Sequence, residues 1–316
     1  MTERTKVIYI ISAGGRSGST LLSRILGQVD GFCDVGELRQ IWSRGLLGSA
    51  PCGCDSLVRE CTFWSSVVNS AIPSGLDETV SSAARLQKTK LRTRRFHHVA
   101  LHLAGLNSPE LDRYASIVVS LYRAIAKESG ATYIVDSSKN PIDALLLSNR
   151  ADLDFYALHL VRDPRGVAFS WRKKVPQPGR PGGFMNTRKP VFSSLQWTLW
   201  NLFGAVMKTR CHDKYLRLQY EELARDPAAA IATVLHWIGE APSSQPIIGP
   251  HNQIELGVTH SVWGNPNRHV RGRVEIVPDE EWRKSMARSD YIQATVPALP
   301  LLWVFGYRMA RRPQVK

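Results

Sequence analysis

Residues 14–20 have the residue types of an anion-binding loop. A β-branched apolar run precedes them, and leucine and isoleucine residues with helical spacing follow. Gly18 allows the backbone to come close to a ligand, and the first turn of a helix leaves N–H groups free to donate. Cationic and hydroxyl donors add to these groups, namely Arg16, Ser17, Ser19 and Thr20. This pattern predicts that a phosphate or a sulfate binds at the start of the helix.

A second junction between a strand and a helix also begins with a cation. The apolar run at residues 155–161 is followed by Arg162, and Pro164 suits the first turn of a helix. Ser170 then lies about two turns inside that helix. Arg162 and Ser170 can therefore both reach an anion that lies over the helix start. Two such junctions suggest a nucleotide with phosphates at both ends.

Two more charged residues follow predicted strands. Lys139 lies in the turn after a buried strand at residues 131–136, and it is either a surface lysine or a partner of Arg16, because ligands of open α/β sheets bind beyond the carboxyl ends of the strands. Glu37 follows an extended piece at residues 32–35, which we expect beside strand 1. Glu37 would then lie close to the phosphate loop, although a carboxylate in the first turn of a helix is the commoner role.

The order of elements determines the predicted fold. Strands that alternate with helices predict an α/β fold with three layers, in which helices flank a mainly parallel central sheet. We expect a single domain over residues 1–316. Residues 45–130 are first irregular and then helical, and we interpret them as a helical insertion that shapes the substrate pocket. Residues 175–190 are rich in proline, glycine and basic residues, which is typical of a mobile loop or lid.

The charge balance favours anionic partners. The chain has 41 Lys and Arg against 27 Asp and Glu, a net charge of +14, which suits nucleotides, acidic glycans, anionic lipids or nucleic acid. Residues 85–98 hold six Lys or Arg and no acid, a pattern more typical of a solvated helix face than of an anion site. No signal peptide and no apolar run of about 18 residues is evident, so we expect a cytoplasmic protein.

Three cysteines lie close together along the chain. Cys52, Cys54 and Cys61 could suggest zinc, but the paired C-x-x-C spacing of common structural sites is missing. Only Cys33 or a distant histidine could complete a set of four ligands. We therefore favour reduced thiols or a local disulfide over a metal.

These features together resemble the sulfotransferases that use 3′-phosphoadenosine 5′-phosphosulfate. Residues 15–22 are similar to the 5′-phosphosulfate loop of that family, and residues 162–165 with Ser170 are similar to its 3′-phosphate motif. Residues 220–227 resemble a further recurring segment. The two anion motifs lie in order at strand ends, about 145 residues apart, which makes the combination far more specific than either motif alone.

The resemblance implies sulfuryl transfer from this nucleotide to an acceptor hydroxyl. Arg16 in place of lysine is closer to the bacterial and the tyrosylprotein or carbohydrate-type branches. In the tyrosylprotein branch an acid after the first helix is the general base, a place similar to that of Glu37, and Lys139 resembles a lysine that stabilises the transition state. His260 and Asp34 are the alternative bases. Nucleotide binding is implied for the loop residues Arg16, Ser17, Gly18, Ser19 and Thr20, and for Arg162, Ser170, Arg271 and Gly272.

The expected partners follow from the same resemblance. Fixed cations can neutralise the developing charge, so we expect no metal cofactor. The acceptor would be a hydroxylated small molecule, a glycan or a lipid, with a peptide tyrosine or a phenol still open. Peripheral contact with an anionic membrane is also compatible with the charge. We expect no nucleic-acid partner, because no nucleic-acid module or interleaved aromatic pattern is present.

A kinase or NTPase of the P-loop type is the main competing interpretation. Asp136 ends a buried strand, as a magnesium-binding aspartate does in such enzymes. However, aligning residues 18–20 on the Gly-Lys-Ser/Thr of that motif puts Ser19 where the phosphate lysine belongs, and Ala13 where the first glycine belongs. This mismatch disfavours ATP chemistry. A nucleic-acid-binding protein is supported only by the net charge and by residues 85–98.

Overall fold

The computed structural model describes residues 4–176, 182–241 and 247–309. In these ranges the strands are β1 (Thr5–Ser12), β2 (Phe32–Gly36), β3 (Tyr133–Lys139), β4 (Leu153–Val161), β5 (Tyr215–Gln219), β6 (Ile248–Gly249), β7 (Gln253–Leu256) and β8 (Gly272–Glu275). The helices are α1 (Ser19–Leu26), α2 (Thr62–Ala71), α3 (Leu76–Thr89), α4 (His97–Leu103), α5 (Pro109–Ser129), α6 (Pro141–Leu147), α7 (Pro164–Arg172), α8 (Pro190–Cys211), α9 (Tyr220–Arg225), α10 (Pro227–Trp237), α11 (Glu281–Ser285), α12 (Arg288–Thr295) and α13 (Leu299–Leu302).

The central sheet is parallel and has the order β2-β3-β1-β4-β5. The central strand β1 pairs on one side with β3 and on the other with β4, so that Val7 lies opposite Ile134 and Phe155. Because successive side chains of a strand point to opposite faces of the sheet, β1 contributes side chains to two hydrophobic cores. The predicted α/β fold with a mainly parallel sheet is confirmed.

The two faces of the sheet are covered by different helices. Val7, Tyr9 and Ile11 belong to a core shared with α2, α5 and α6, whereas Ile8 and Ile10 belong to a core shared with α1 and α10. These five side chains are at most 1% exposed. The alternation therefore produces the predicted helix–sheet–helix layers.

The position of β2 corrects one expectation. β2 pairs with β3 and not with β1, and it forms the edge of the sheet. β3 is buried along its whole length, whereas Phe32 and Cys33 at the start of β2 are only partly buried. The fully buried strand takes the inner position, and the shorter, partly exposed strand takes the edge.

Residues 45–130 contain α2 to α5. The long helix α5 packs against β1 and β3 and buries residues such as Leu111, Tyr122 and Ile125 in the core. This helix therefore covers part of one face of the central sheet. A second, antiparallel sheet of β6, β7 and β8 lies near the C-terminal end. Within the described ranges, no helix is long and apolar enough to span a bilayer.

Candidate active site

A cavity of about 720 Å³ opens at the carboxyl ends of the parallel strands. Ligand sites of open α/β sheets occur at this edge, and the volume is typical of small-molecule sites. Most predicted site residues line it, namely Arg16, Gly18, Ser19, Thr20, Glu37, Lys139, Arg162 and Ser170. Residues that are far apart in the chain therefore meet here because five strands end at one edge.

The loop between β1 and α1 forms the floor of the cavity. Gly14, Gly15, Arg16 and Gly18 all have positive φ angles, between 61° and 109°. Three of these four residues are glycines, which adopt such conformations without a steric penalty. Gly18 is required here, since a Cβ atom would lie 2.4 Å from Cδ2 of Tyr220. The loop thus makes the tight, glycine-dependent turn that the sequence predicts before α1.

Lys139 and Glu37 form an ion pair at the strand ends. Lys139 Nζ donates to Glu37 Oε1 at 2.5 Å and to the Ser137 carbonyl oxygen at 3.1 Å. The side chains are 7% and 16% exposed. Lys139 adopts a left-handed conformation with φ of 68°, which is uncommon for a residue with a side chain. This strained turn ends β3, and the Lys139 side chain lines the cavity.

The backbone of Glu37 is fixed from the opposite wall. Its N–H donates to the Trp263 carbonyl oxygen at 3.0 Å, and the N–H of Val262 donates to the Val35 carbonyl oxygen at 3.0 Å. The segment that contains Trp263 also lines the cavity. The end of β2 and this segment therefore hold each other in register.

Arg162 follows β4 and is almost fully buried. Its guanidinium donates to the Arg16 carbonyl oxygen at 2.9 Å and to Asp279 Oδ2 at 2.9 Å, and it lies over the Tyr220 ring at 4.2 Å. Burial acts to raise the pKa of Asp279, but the hydrogen bond and charge of Arg162 lower it below its usual range. Ser170 lines the same cavity from α7. Arg162 therefore presents a fixed cation beside the loop between β1 and α1.

The rest of the Arg162 motif supports this geometry. Asp163 caps α7 by accepting from the Arg165 N–H at 2.9 Å, and it also accepts twice from the Arg165 guanidinium. The Asp163 N–H donates to Glu221 Oε1 at 3.0 Å. Within the motif, Arg162 faces the cavity, whereas Asp163 and Arg165 fix the turn.

Arg188 is a cavity cation that sequence reasoning did not single out. Trp171 contacts two cations, with Arg188 4.4 Å and Arg16 5.4 Å from the ring. Burial lowers the pKa of both arginines. Arg188 belongs to the predicted lid at residues 175–190, and its basic composition was the available signal. Residues 177–181 lie outside the described ranges, and no observation tests the mobility of the rest.

Residues 257–270, which follow β7, form one wall of the cavity, and an arginine of α1 holds this wall in place. Arg24 donates to the carbonyl oxygens of Asn267, Val270 and Gly257 at 2.5 to 3.0 Å. Gly264, Asn265 and Asn267 are among the residues of this wall that line the cavity. The basic residues of this region, Arg268, Arg271 and Arg273, do not line the cavity.

Three predicted nucleotide ligands lie elsewhere. Arg271 pairs with Asp55 and donates to the Gly53 carbonyl oxygen, while Gly272 begins β8, and neither lines the cavity. Ser17 is fully buried in the loop, and its hydroxyl has no hydrogen-bond partner in the described part of the chain. For these three residues the geometry offers no direct approach to the cavity.

The alternative bases are also outside the cavity. Asp34 is buried and accepts from the Gly36 N–H at 2.9 Å, and burial raises its pKa to about 6. His260 lies beside Cys61. No cavity-lining residue comes from positions 45–130. Gln87 of that segment donates to the carbonyl oxygen of Arg39, a residue that does line the cavity.

Asp136, the candidate magnesium ligand, is engaged by the protein itself. One carboxylate oxygen accepts from the Ser138 N–H and hydroxyl at 2.8 and 2.5 Å, and the other accepts from the Tyr122 hydroxyl at 2.7 Å. Asp136 is 2% exposed and does not line the cavity. Its carboxylate fixes the end of β3 and leaves little capacity for a metal ion.

A family profile shows to which family the chain belongs. The profile described as "Sulfotransferase family" matches residues 8–243, which is more than half of the chain and includes both anion motifs. The chain belongs to the sulfotransferase family. A comparison with curated proteins finds no match.

Solved sulfotransferases have a similar fold. The sulfotransferase domain of the olefin synthase from Synechococcus PCC 7002 aligns over 98% of this chain and 98% of its own, with 17% identity and a TM-score of 0.54. The sulfotransferase domain from the curacin biosynthetic pathway aligns over 98% and 100%, with 13% identity and a TM-score of 0.49. The first match confirms the P-loop-like α/β fold. The part of this sulfotransferase that matches the family profile includes residues 14–20, Glu37, Lys139 and Arg162, but it ends before Arg271.

Proposed function

We propose that this sulfotransferase moves a sulfuryl group from 3′-phosphoadenosine 5′-phosphosulfate to an acceptor hydroxyl, with Glu37 as the general base. The observation that carries the proposal is the contact between Glu37 and Lys139 at 2.5 Å, in a cavity that also contains Arg16 and Arg162. The carboxylate can remove a proton from the acceptor, and the neighbouring cation can stabilise negative charge that develops at the same place.

The residues present suit a nucleotide with two anionic ends. The loop N–H groups and Arg16 would hold the 5′ end, and Arg162 with Ser170 would hold the 3′-phosphate. The cavity volume of about 720 Å³ is adequate for a nucleotide and part of an acceptor.

The protein's part in the reaction is positioning and electrostatics. The acceptor oxygen forms a bond to sulfur while the bond from sulfur to the 5′-phosphate oxygen breaks, and Glu37 takes the hydroxyl proton. Lys139 and Arg16 would stabilise the charge that spreads over the equatorial oxygens and the departing phosphate, as in phosphoryl transfer. Fixed cations can fulfil this role at the end of the sheet.

The acceptor site would lie between aromatic walls. Trp200 of α8 and Trp263 line the cavity together with Trp171. Flat aromatic faces beside polar groups suit a hydroxylated small molecule, a glycan or the headgroup of a lipid. We therefore propose an acceptor of this class.

Calorimetry with the product nucleotide tests the donor assignment. 3′-Phosphoadenosine 5′-phosphate should bind the full chain roughly 10- to 100-fold more tightly than adenosine 5′-phosphate, because the latter lacks the group that Arg162 would contact. Equal affinities would contradict the 3′-phosphate site, and no binding would overturn the donor assignment. Magnesium-dependent ATP turnover would favour the kinase alternative. A screen of hydroxylated acceptors with labelled donor then identifies the acceptor.

A further inference from the structure

Three cysteines and one histidine converge outside the cavity. The ligand atoms of Cys52, Cys54, Cys61 and His260 all lie within 4.8 Å of one another. His260 Nδ1 is 3.3 Å from the sulfur of Cys61 and 3.8 Å from that of Cys52, and the sulfurs of Cys54 and Cys61 are 3.6 Å apart. His260 is 199 residues from Cys61 in the chain, so the sequence spacing could not identify this fourth member.

These separations match a tetrahedral metal site. With metal–sulfur bonds of about 2.3 Å and metal–nitrogen bonds of about 2.05 Å, tetrahedral geometry places two sulfurs about 3.8 Å apart and a sulfur and a nitrogen about 3.6 Å apart. The three distances of 3.3 to 3.8 Å given above lie close to these values, and no two of the four ligand atoms are more than 4.8 Å apart. A disulfide would use only two of the four groups and would leave the histidine unexplained.

Neighbouring side chains and backbone groups hold the four ligand residues in place. Phe63 stacks on the His260 ring with centroids 4.6 Å apart, and Trp64 donates to the His260 carbonyl oxygen at 2.7 Å. The Gly53 N–H donates to the Ser261 carbonyl oxygen at 3.0 Å, and a Cβ atom at Gly53 would lie 2.5 Å from the Thr259 carbonyl oxygen. The cysteine loop and the histidine segment are thus packed together.

The charges nearby also suit such a site. Three thiolates and one divalent cation carry a net charge of −1. Arg268 is buried and donates to the Pro51 carbonyl oxygen at 2.7 Å, and Arg271 donates to the Gly53 carbonyl oxygen at 3.3 Å. Both cations therefore lie against the backbone of the cysteine loop, which accounts for Arg271 without a role in the cavity.

We propose that Cys52, Cys54, Cys61 and His260 bind a structural Zn²⁺ ion. Thiolate and imidazole ligands in a tetrahedral set favour zinc, and four protein ligands leave no open position for catalysis. On binding, each thiol releases its proton to solvent. The sequence pattern favours thiols or a disulfide, and the spatial approach of His260 reverses that preference.

The proposed zinc site would stabilise the cavity wall that contains Trp263. From His260 the chain continues to Val262 and Trp263, whose backbone groups bond Val35 and Glu37. None of the four ligands lines the cavity. The ion would act through the segment at 260–263 and keep Glu37 in register.

Metal analysis of the full chain, purified without a metal-affinity tag, tests the proposal. We expect about one zinc ion per chain in the wild type. Substitution of Co²⁺ should produce the thiolate charge-transfer and tetrahedral d–d absorption bands. Both measurements use only the wild type, so they do not depend on whether a variant folds. A zinc-free protein with all five thiols reactive, or a mass showing an intramolecular disulfide, would overturn the proposal.

Matched variants localise the ion. In competition with a chromophoric chelator, Cys61→Ser and His260→Ala should weaken zinc affinity at least about tenfold. Cys33→Ser and Cys211→Ser, which alter the cysteines outside the cluster, should retain wild-type affinity. An equal loss in the control variants would assign the ion to another site. Chelation of the wild type should raise hydrogen exchange at residues 260–263, and unchanged exchange would refute the fastening role.

Discussion

The Nζ atom of Lys139 lies 2.5 Å from Oε1 of Glu37, although the two residues are 102 positions apart in the chain. Lys139 is the last residue of β3 and Glu37 directly follows β2, and these two strands are neighbours in the sheet. Parallel pairing therefore creates the contact. The backbone of Glu37 is bonded to Trp263, so a third segment fixes the same point.

Glu37→Gln should abolish most turnover while nucleotide binding is retained. The amide keeps the size of the side chain but cannot take the acceptor proton, and general-base catalysis typically contributes about 10²- to 10⁴-fold. Turnover with labelled donor and calorimetry with the bisphosphate product measure the two effects. Glu128→Gln, a substitution of an exposed carboxylate on α5, is the control. Near-normal turnover of Glu37→Gln would refute its role as the base.

A double-mutant cycle tests whether Lys139 and Glu37 act as a pair. Lys139→Met should lower kcat, because one cation is lost from the region of developing charge. Adding Glu37→Gln should then cost less than it does alone, with a coupling of about 1 to 3 kcal/mol in kcat/KM. Additive losses would show that the contact has no part in turnover.

Arg162→Ala should weaken binding of the bisphosphate product roughly 10- to 100-fold, since a charge-assisted hydrogen bond to the 3′-phosphate is lost. Asp279→Asn should have the opposite effect, because its carboxylate now occupies one edge of the Arg162 guanidinium. Titration calorimetry of both variants measures these changes. Glu281→Gln removes a nearby carboxylate that pairs with Lys173 and should leave affinity unchanged. Unchanged affinity of Arg162→Ala would refute its role.

The two junctions between a strand and a helix that line the cavity were predictable because their signals are local. The loop before α1 and Arg162 after β4 are marked by glycine, proline and charge within a few residues of an apolar run. The place of β2 was not predictable in this way, since strand order depends on pairing with β3, which follows about 100 residues later. Fold class and loop therefore follow from the sequence, but strand order does not.

Contacts made by single side chains were also hidden from the sequence. The partner of Arg162, Asp279, follows it by 117 positions, and His260 meets the cysteine loop only in space. Arg268 has the residue type of an anion ligand, yet it donates to the carbonyl oxygens of Ser261 and Pro51. Residue type thus identified candidate cations. Only the burial and the hydrogen-bond partners of each side chain separate the cations that line the cavity from those that hold backbone carbonyl groups.

The buried imidazole of His159 should make stability depend on pH. Burial lowers its pKa to about 4, and its ring nitrogens lie 2.8 Å from the Tyr215 hydroxyl and from Asn201 Oδ1. The unfolded chain, with a histidine pKa of about 6.5, binds a proton first as the pH falls, so the native state loses roughly 2 kcal/mol between pH 7 and pH 5. His159→Gln should remove this loss.

Denaturant unfolding at both pH values measures the difference. The stability gap between wild type and His159→Gln should be about 2 kcal/mol smaller at pH 5 than at pH 7. Burial raises the pKa of Asp34 and of Asp136 to about 6 in the folded protein. Because these carboxyl groups ionise more easily in the unfolded chain, they lower the stability of the fold as the pH rises from about 4 to 6. They do so in both proteins and cancel in the comparison. A gap that is equal at the two pH values would contradict a neutral, buried His159.

Gly204→Ala should destabilise the fold, although alanine is the better helix former by about 1 kcal/mol. Gly204 lies within α8, where a Cβ atom would lie 2.5 to 2.9 Å from three ring atoms of His159. His159 is held on both sides by Tyr215 and Asn201, so its ring cannot move aside, and overpacking of this kind costs about 1 to 3 kcal/mol. Val206→Ala, at an exposed position of the same helix, should be neutral or slightly stabilising. Denaturant unfolding of both variants measures the effect, and a Gly204→Ala protein at least as stable as the wild type would mean that α8 does not pack this closely on β4.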